Sequence, residues 1–158
     1  MNSPQLPLTS ASVQTVTSIL LLREDGSALL QLRDDKPGLT HAGKWGWPGG
    51  HCEPGESMEK SARRELEEET GYACRDLHLA AVIENFQLCE TDPPCRLAVF
   101  WTCYDGRQPV ECLEGQVVRF VSRQDAETYS MPRCLFPIWD QALIAQWRVK
   151  HGHDTDAG

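Results

Sequence analysis

Glu65, Glu68 and Glu69 follow Arg64 in close succession, and Glu56 stands shortly before them. On a helix, residues three and four apart share a face, so the three carboxylates converge on one side. Glu69 projects almost along the line of Met58 and Ala62, which with Leu66 form an apolar stripe suited to a core. Like charges crowded against a buried face are costly unless something positive lies among them. Oxygen-only donors suit a hard divalent cation such as Mg²⁺ or Mn²⁺ rather than zinc, which prefers His and Cys. Magnesium is usually held by one or two carboxylates together with phosphate oxygens, where it draws charge from phosphorus and activates a bound water. Taken alone, the run Glu67-Glu68-Glu69 also fits a solvated helix face, and Glu67 points away from the other acids.

The surrounding residues specify the element that carries these side chains. Pro48-Gly49-Gly50 and Pro54-Gly55 call for turns on either side of His51 to Glu53. Ser57 is placed to cap a helix, Met58 to Thr70 contains neither Gly nor Pro, and Gly71 suits the left-handed position that closes one. From Gly50, five residues lead to Glu56 and seven more to Arg64-Glu65, followed by Leu66, Glu67, Glu68-Glu69, Thr70, Gly71 and Tyr72. At every fixed position this spacing resembles the Nudix box, the signature of the Nudix hydrolases.

That resemblance implies an α/β fold, an α/β/α sandwich with a mixed parallel and antiparallel sheet, covering about Thr15 to Trp147. It also implies hydrolysis of a nucleoside diphosphate linked to another moiety, by attack of water on phosphorus with the help of Mg²⁺ or Mn²⁺. By position, Glu65, Glu68 and Glu69 correspond to metal-binding carboxylates, and Glu65 is also a candidate general base or water-orienting group. Arg64 either braces these glutamates or touches phosphate, with Glu56 as its ion-pair partner. Gly49 is placed to offer its carbonyl to a metal. The phrase Leu113-Glu114-Gly115-Gln116 resembles a later metal-site loop of the mutator-type 8-oxo-dGTP hydrolases, making Glu114 the first choice for a further ligand or base and Glu111 the second. Met131 to Pro137 resembles the stretch that carries their base-reading asparagine, but Leu135 stands at that place and cannot form paired hydrogen bonds. The proline that follows the box in many ADP-ribose hydrolases is missing near Phe86 and Gln87. A less selective nucleoside triphosphate hydrolase fits this pattern. The competing class is a nucleotide sensor on the same fold that has lost catalysis, against which the intact Arg64, Glu65, Glu68 and Glu69 argue.

Strands are expected at Thr15 to Leu22 and Ala28 to Arg33 around a turn at Glu24 to Ser27, at Leu77 to Leu88 and Arg96 to Tyr104, and at Gln116 to Val121. Two amphipathic helices therefore accompany five or six strands. In the second helix, Phe136 to Val149, the stripe Phe136, Trp139, Leu143 and Trp147 is expected to face the core. Arg33, ending a strand beside a polar loop, is a candidate phosphate contact or a partner of Asp34 or Asp35. Trp45, Trp47, Phe86, Trp101 and Tyr104 are candidates to stack on a base, although aromatics in a small domain are mostly core.

The 158 residues suffice for one domain, expected at 13–149, with residues 1–12 as a loose arm and 150–158 as a flexible tail. His151 and His153, in that tail, fit a disordered pair better than a metal site. A net charge of −8 disfavours long nucleic acids, whereas a small anionic nucleotide is acceptable once metal ions neutralise both partners. Seven cysteines without a CxxC pair argue against disulfides and structural zinc. The longest apolar run, Ile19 to Leu22, is too short for a bilayer, and no Lys or Arg precedes Arg23. A cytoplasmic protein without membrane contacts, as a monomer or homodimer, is the expectation.

Overall fold

The computed structural model describes residues 13–38, 42–87 and 91–152, which form one mixed seven-stranded sheet between two helices. Strand β1 (Thr15–Leu22) lies at its centre. Strand β2 (Ala28–Leu32) follows β1 across a turn, yet the two pair only at Leu22↔Ala28 before they part. Two short strands occupy the fork. β3 (Trp45–Gly46) pairs with β2 at Gln31 and Leu32, and β4 (Gly49–His51) pairs with β1 from Val16 to Ser18. A cleft lies at this fork, lined by residues of β1, β2, β3 and β4.

After the first helix, α1 (Met58–Thr70), come β5 (His78–Phe86) and β6 (Cys95–Cys103). They pair antiparallel, and β6 runs parallel to β1 in unbroken register from Thr15↔Arg96 to Leu22↔Cys103. β7 (Val117–Val121) covers the far edge of β2, and the second helix, α2 (Leu135–Lys150), ends the fold.

Period-two alternation along β1 sorts the core into two layers. Ile19 and Leu21 join Ala62 and Leu66 of α1, with Leu29, Tyr72, Ala98 and Phe100. Leu20 and Leu22 face the opposite way, packing with Leu30, Val99 and Trp101 against Ile138, Trp139 and Ala142 of α2. The expected α/β/α sandwich is therefore present. Truncating Leu66 to Ala, in the α1 layer, is expected to cost ~2–5 kcal/mol through lost burial and the cavity left behind.

Helix α1 has the expected caps. The Ser57 hydroxyl accepts from the Lys60 N–H at 3.1 Å, and Gly71, at φ 75°, donates its N–H to the Glu67 carbonyl at 2.8 Å. Elsewhere the expected boundaries move by one or two residues. β2 stops at Leu32, β5 runs His78–Phe86, β6 begins at Cys95, β7 at Val117 and α2 at Leu135. β3 and β4 raise the strand count above the expected five or six, because two- and three-residue strands containing glycine carry no hydrophobic alternation.

Trp147 corrects the expected stripe, being 52% exposed and stacked on His151 with ring centroids 4.3 Å apart. The buried residues of α2 centre on Trp139, Ala142 and Gln146, and at 100° per residue this places Trp147 about 100° round the helix. Residues 1–12 and 153–158, including the expected arm and His153, lie outside the described residues, as does Leu88. The described cysteines are all free. Among the described residues, no helix is long and apolar enough to cross a membrane.

Candidate functional site

The cleft at the fork has a volume of about 710 Å³. On one side lie Glu65, Glu69 and Glu114, with Arg64, Gly49 and Gly50; Arg33, Lys36 and Lys44 also line it. An apolar wall is formed by Trp47, Leu97, Met131 and Leu135 of the α2-side core cluster, with the partly buried Phe86 packed against them.

Glu69 occupies the buried face of α1, as its helical position requires, and is only 3% exposed. One carboxylate oxygen accepts the Gly49 N–H at 3.0 Å. Burial pushes its pKa from 4.5 to about 8 despite that hydrogen bond, with the neighbouring Glu114 and Glu65 carboxyls adding to the rise. The Glu65 side chain is 13% exposed, and burial raises it too, against the pull of the Arg64 guanidinium.

Arg64 is the hub of this end. It contacts Glu56 through two nitrogens at 2.8 and 2.9 Å, Glu65 at 2.9 Å, Glu68 at 3.1 Å and the His51 carbonyl at 3.1 Å. The paired contact with Glu56 pulls that carboxyl down to about 2. Arg64 thus ties the turn before α1 to the helix and holds Glu65 in place. Glu68 does not join the buried pair: its side chain is 59% exposed and turned to Arg64.

Backbone contact is close where β4 crosses α1. A Cβ on Gly50 would lie 2.6 Å from the Glu65 carboxyl carbon, and one on Gly49 would lie 2.0 Å from the Thr17 carbonyl oxygen. Only glycine lets the chain pass between β1 and the acidic face. Behind it, the Thr17 and Ser61 hydroxyls meet at 3.2 Å.

Glu114 is far from α1 in sequence and is brought to it by loop anchoring. The Glu111 and Leu113 N–H groups donate to the Thr70 and Glu69 carbonyls, both at 2.9 Å, while Gln116 N–H donates to the Leu32 carbonyl at 2.9 Å. Gln31 Nε2 donates to the Glu114 carbonyl at 3.0 Å. The loop therefore bridges the end of α1 and β2, and although both acids are exposed, Glu114 lines the cleft and Glu111 does not.

Of the aromatic candidates, Trp45, Trp47 and Phe86 line the cleft. Trp101 stacks on His78, and Tyr104 packs between Tyr72 and Phe120, so neither faces it. Sequence reasoning missed Gln31, Lys36 and Lys44. Gln31 alone had a signal, a polar side chain inside the apolar run Ala28–Leu32.

A family model described as the NUDIX domain matches residues 13–138. The chain belongs to the NUDIX family. The oxidized purine nucleoside triphosphate hydrolase of Danio rerio is 37% identical over 75 residues, 48% of this chain and 46% of that protein. The chain spans less than half the length of the curated relatives it matches. The crystal structure of the MutT protein from Methanosarcina mazei Go1 superposes with a TM-score of 0.71 and 25% identity, over 87% of this chain and 98% of that one. The NUDIX domain of Shewanella oneidensis NrtR, complexed with ADP ribose, superposes at 0.72 with 17% identity, over 90% and 94%, and is similar in fold alone.

NUDIX proteins typically use divalent metal ions. Among the described residues, no group of three or more His, Cys, Asp or Glu side chains is placed to hold a metal ion. The donor set still fits a hard cation, since Mg²⁺ is commonly held by one or two carboxylates and completes its shell with substrate oxygens and water. Glu69, costly to ionise alone, and its neighbours Glu65 and Glu114 supply such carboxylates.

Proposed function

We propose that this NUDIX protein is a divalent-metal-dependent pyrophosphohydrolase of nucleoside diphosphates linked to another moiety, with nucleoside triphosphates as its first class of substrate. The observation that carries this reading is the buried Glu69 carboxyl, flanked by Glu65 and Glu114, on the wall of a cleft large enough for a nucleotide.

In this reading Glu65, Glu69 and Glu114 would hold Mg²⁺ or Mn²⁺, with the Gly49 carbonyl and Glu68 as further donors. A metal bound there would withdraw charge from phosphorus and lower the pKa of the attacking water. Glu65, braced by Arg64, orients that water and takes its proton. The water oxygen bonds to phosphorus as the bridging P–O bond breaks, and the leaving phosphate keeps the electron pair. Arg64 and Glu56 act as supports, and Arg33 steadies the phosphate chain from the mouth of the cleft. The base rests against the wall that includes Phe86 and Leu135.

Names of relatives favour oxidised purine nucleotides, such as the substrate class of the Danio rerio hydrolase. Leu135, with no polar group to offer, favours a broader choice of base. Incubation with nucleoside triphosphates, 8-oxo-dGTP, ADP-ribose, nucleotide sugars and dinucleoside polyphosphates, with Mg²⁺ or Mn²⁺, tests the proposal. Release of a nucleotide product that stops with EDTA is expected. Binding without hydrolysis across the whole panel would leave the sensor as the better reading.

A further inference from the structure

Gln31 is the polar break in β2. Ala28, Leu29 and Leu30 before it are at most 1% exposed, and Gln31 itself is only 8% exposed. Leu29 belongs to the α1-side layer, so by period-two alternation Gln31 points to the same side of the sheet. A carboxamide buried there is costly unless it is paired. Its partner lies in neither β2 nor α1: Gln31 Nε2 donates to the Glu114 carbonyl at 3.0 Å, across 83 positions of chain.

The backbone anchors of the 111–116 loop leave this place to a side chain. Leu113 N–H donates to the Glu69 carbonyl and Gln116 N–H to the Leu32 carbonyl, both at 2.9 Å, with Glu114 and Gly115 between them. Gly115 stands at φ 84°, and a Cβ there would lie 2.5 Å from the Leu32 carbonyl oxygen and 3.2 Å from Gln31 Cγ, so the loop touches β2 closely. Cys112 Sγ, a weak donor, reaches the Glu114 carbonyl only at 3.4 Å. One residue past the glycine, Gln116 Nε2 donates to the Arg33 carbonyl at 2.9 Å. Two glutamines thus clasp β2 and the loop together, and the buried one holds the peptide that carries the Glu114 side chain. The Glu114 carboxyl in turn hydrogen-bonds that of Glu69.

We propose that Gln31 is a positioning residue for hydrolysis: its amide fixes the Glu114 peptide and, with it, the place of the Glu114 carboxyl beside Glu69 and Glu65. This deepens the hydrolase reading and rests on it. Without the tether the carboxyl must be gathered from a looser loop, and a misplacement of about 1 Å in such a group can cost ~100-fold in rate. The effect passes through Glu114, which distinguishes it from a direct contact between Gln31 and substrate and from a contribution to the fold at large.

Two substitutions test this. Gln31→Met keeps the length of the side chain and removes the donor, whereas Gln31→Asn keeps the amide and loses one methylene of reach. Each is made in wild type and in Glu114→Gln. Hydrolysis of the best nucleoside triphosphate is measured with Mg²⁺, and amide hydrogen exchange of the 111–116 segment is measured in metal-free protein. In the wild-type background kcat should fall ~10-fold with KM changed less than ~2-fold, and exchange in the segment should quicken. In the Glu114→Gln background the same substitution should change kcat by less than ~2-fold, because the carboxylate it positions is gone. An equal fall in both backgrounds would mean that Gln31 touches substrate or serves the fold, and overturns the proposal. Unchanged kcat or unchanged exchange in the wild-type background overturns it too. Should Gln31→Met fail to fold, Gln31→Asn carries the same comparison. A wild type inactive on every nucleotide removes the hydrolase reading, whereas independent losses in an active enzyme remove this inference alone.

Discussion

Replacing Glu69 by Gln should separate stability from activity, because a buried ionised carboxyl opposes folding whereas the proposed metal site requires one. In metal-free protein its pKa stands at about 8 against 4.5 for a free glutamate, chiefly through burial. The folded state thus keeps a proton that the unfolded chain releases above pH 4.5. Stability from this group is complete below that pH and is lost as pH rises through the folded value. At about 1.36 kcal/mol per pKa unit, the loss approaches roughly 5 kcal/mol by pH 8, an upper limit that proton sharing with Glu114 reduces. Glutamine mimics the protonated carboxyl and does not titrate. In EDTA, Glu69→Gln should match wild type near pH 4.5 and be the more stable protein at pH 8 by ~2 kcal/mol or more. Adding Mg²⁺ should raise the melting temperature of wild type at pH 8 and leave the variant unmoved, while nucleotide hydrolysis falls at least ~100-fold. Urea melts across pH 4.5–8.5, with and without Mg²⁺, measure this. Parallel pH profiles for the two proteins, or hydrolysis at the wild-type rate, would refute the argument.

Five further substitutions probe the cleft and its supports. Gly50→Ala places a methyl 2.6 Å from the Glu65 carboxyl carbon, which must swing away; kcat should fall ~10- to 100-fold with melting little changed, whereas Gly49→Ala meets the Thr17 backbone oxygen at 2.0 Å and should unfold the protein. Circular dichroism melts beside the hydrolysis assay separate these outcomes. Glu114→Gln should lower kcat/KM by ~10-fold or more and Glu111→Gln by less than ~2-fold, since only Glu114 lines the cleft. Glu56, held near pKa 2 by Arg64, contributes stability above pH 4.5 that is lost as pH falls towards 2. Wild type and Glu56→Gln should therefore differ in melting temperature at pH 6 and converge in acid, and a constant difference would show that the pairing with Arg64 is not the cause.

Local rules carried the reading of α1 almost to the residue. Ser57, the Gly- and Pro-free run to Thr70, and Gly71 determine where the helix starts and stops, because caps and propensity act between near neighbours. The same helical geometry placed Glu69 beside Ala62 and Leu66 and so foretold a buried acid. The Arg64–Glu56 pair followed from the resemblance to the Nudix box, and the strands β1, β2, β5, β6 and β7 from their apolar runs and the turns between them. Spacing places Glu68 near Glu65, and both meet Arg64, but the Glu68 side chain stays exposed with Arg64 at 3.1 Å, and spacing carries no information about which charge a long side chain chooses.

What sequence by itself determined is the set of carboxylates and the helix that displays three of them. Only the tertiary structure decided that β1 and β2 part after Leu22↔Ala28, that β3 and β4 line the resulting fork, and that the 111–116 loop carries Glu114 across to Glu69. It also turned Trp147 outward and Trp47 inward, leaving the Trp47 donor unpaired. Helix caps and faces are set by residues a few positions apart, whereas a cleft between diverging strands depends on pairing choices made among distant segments competing for the same edges.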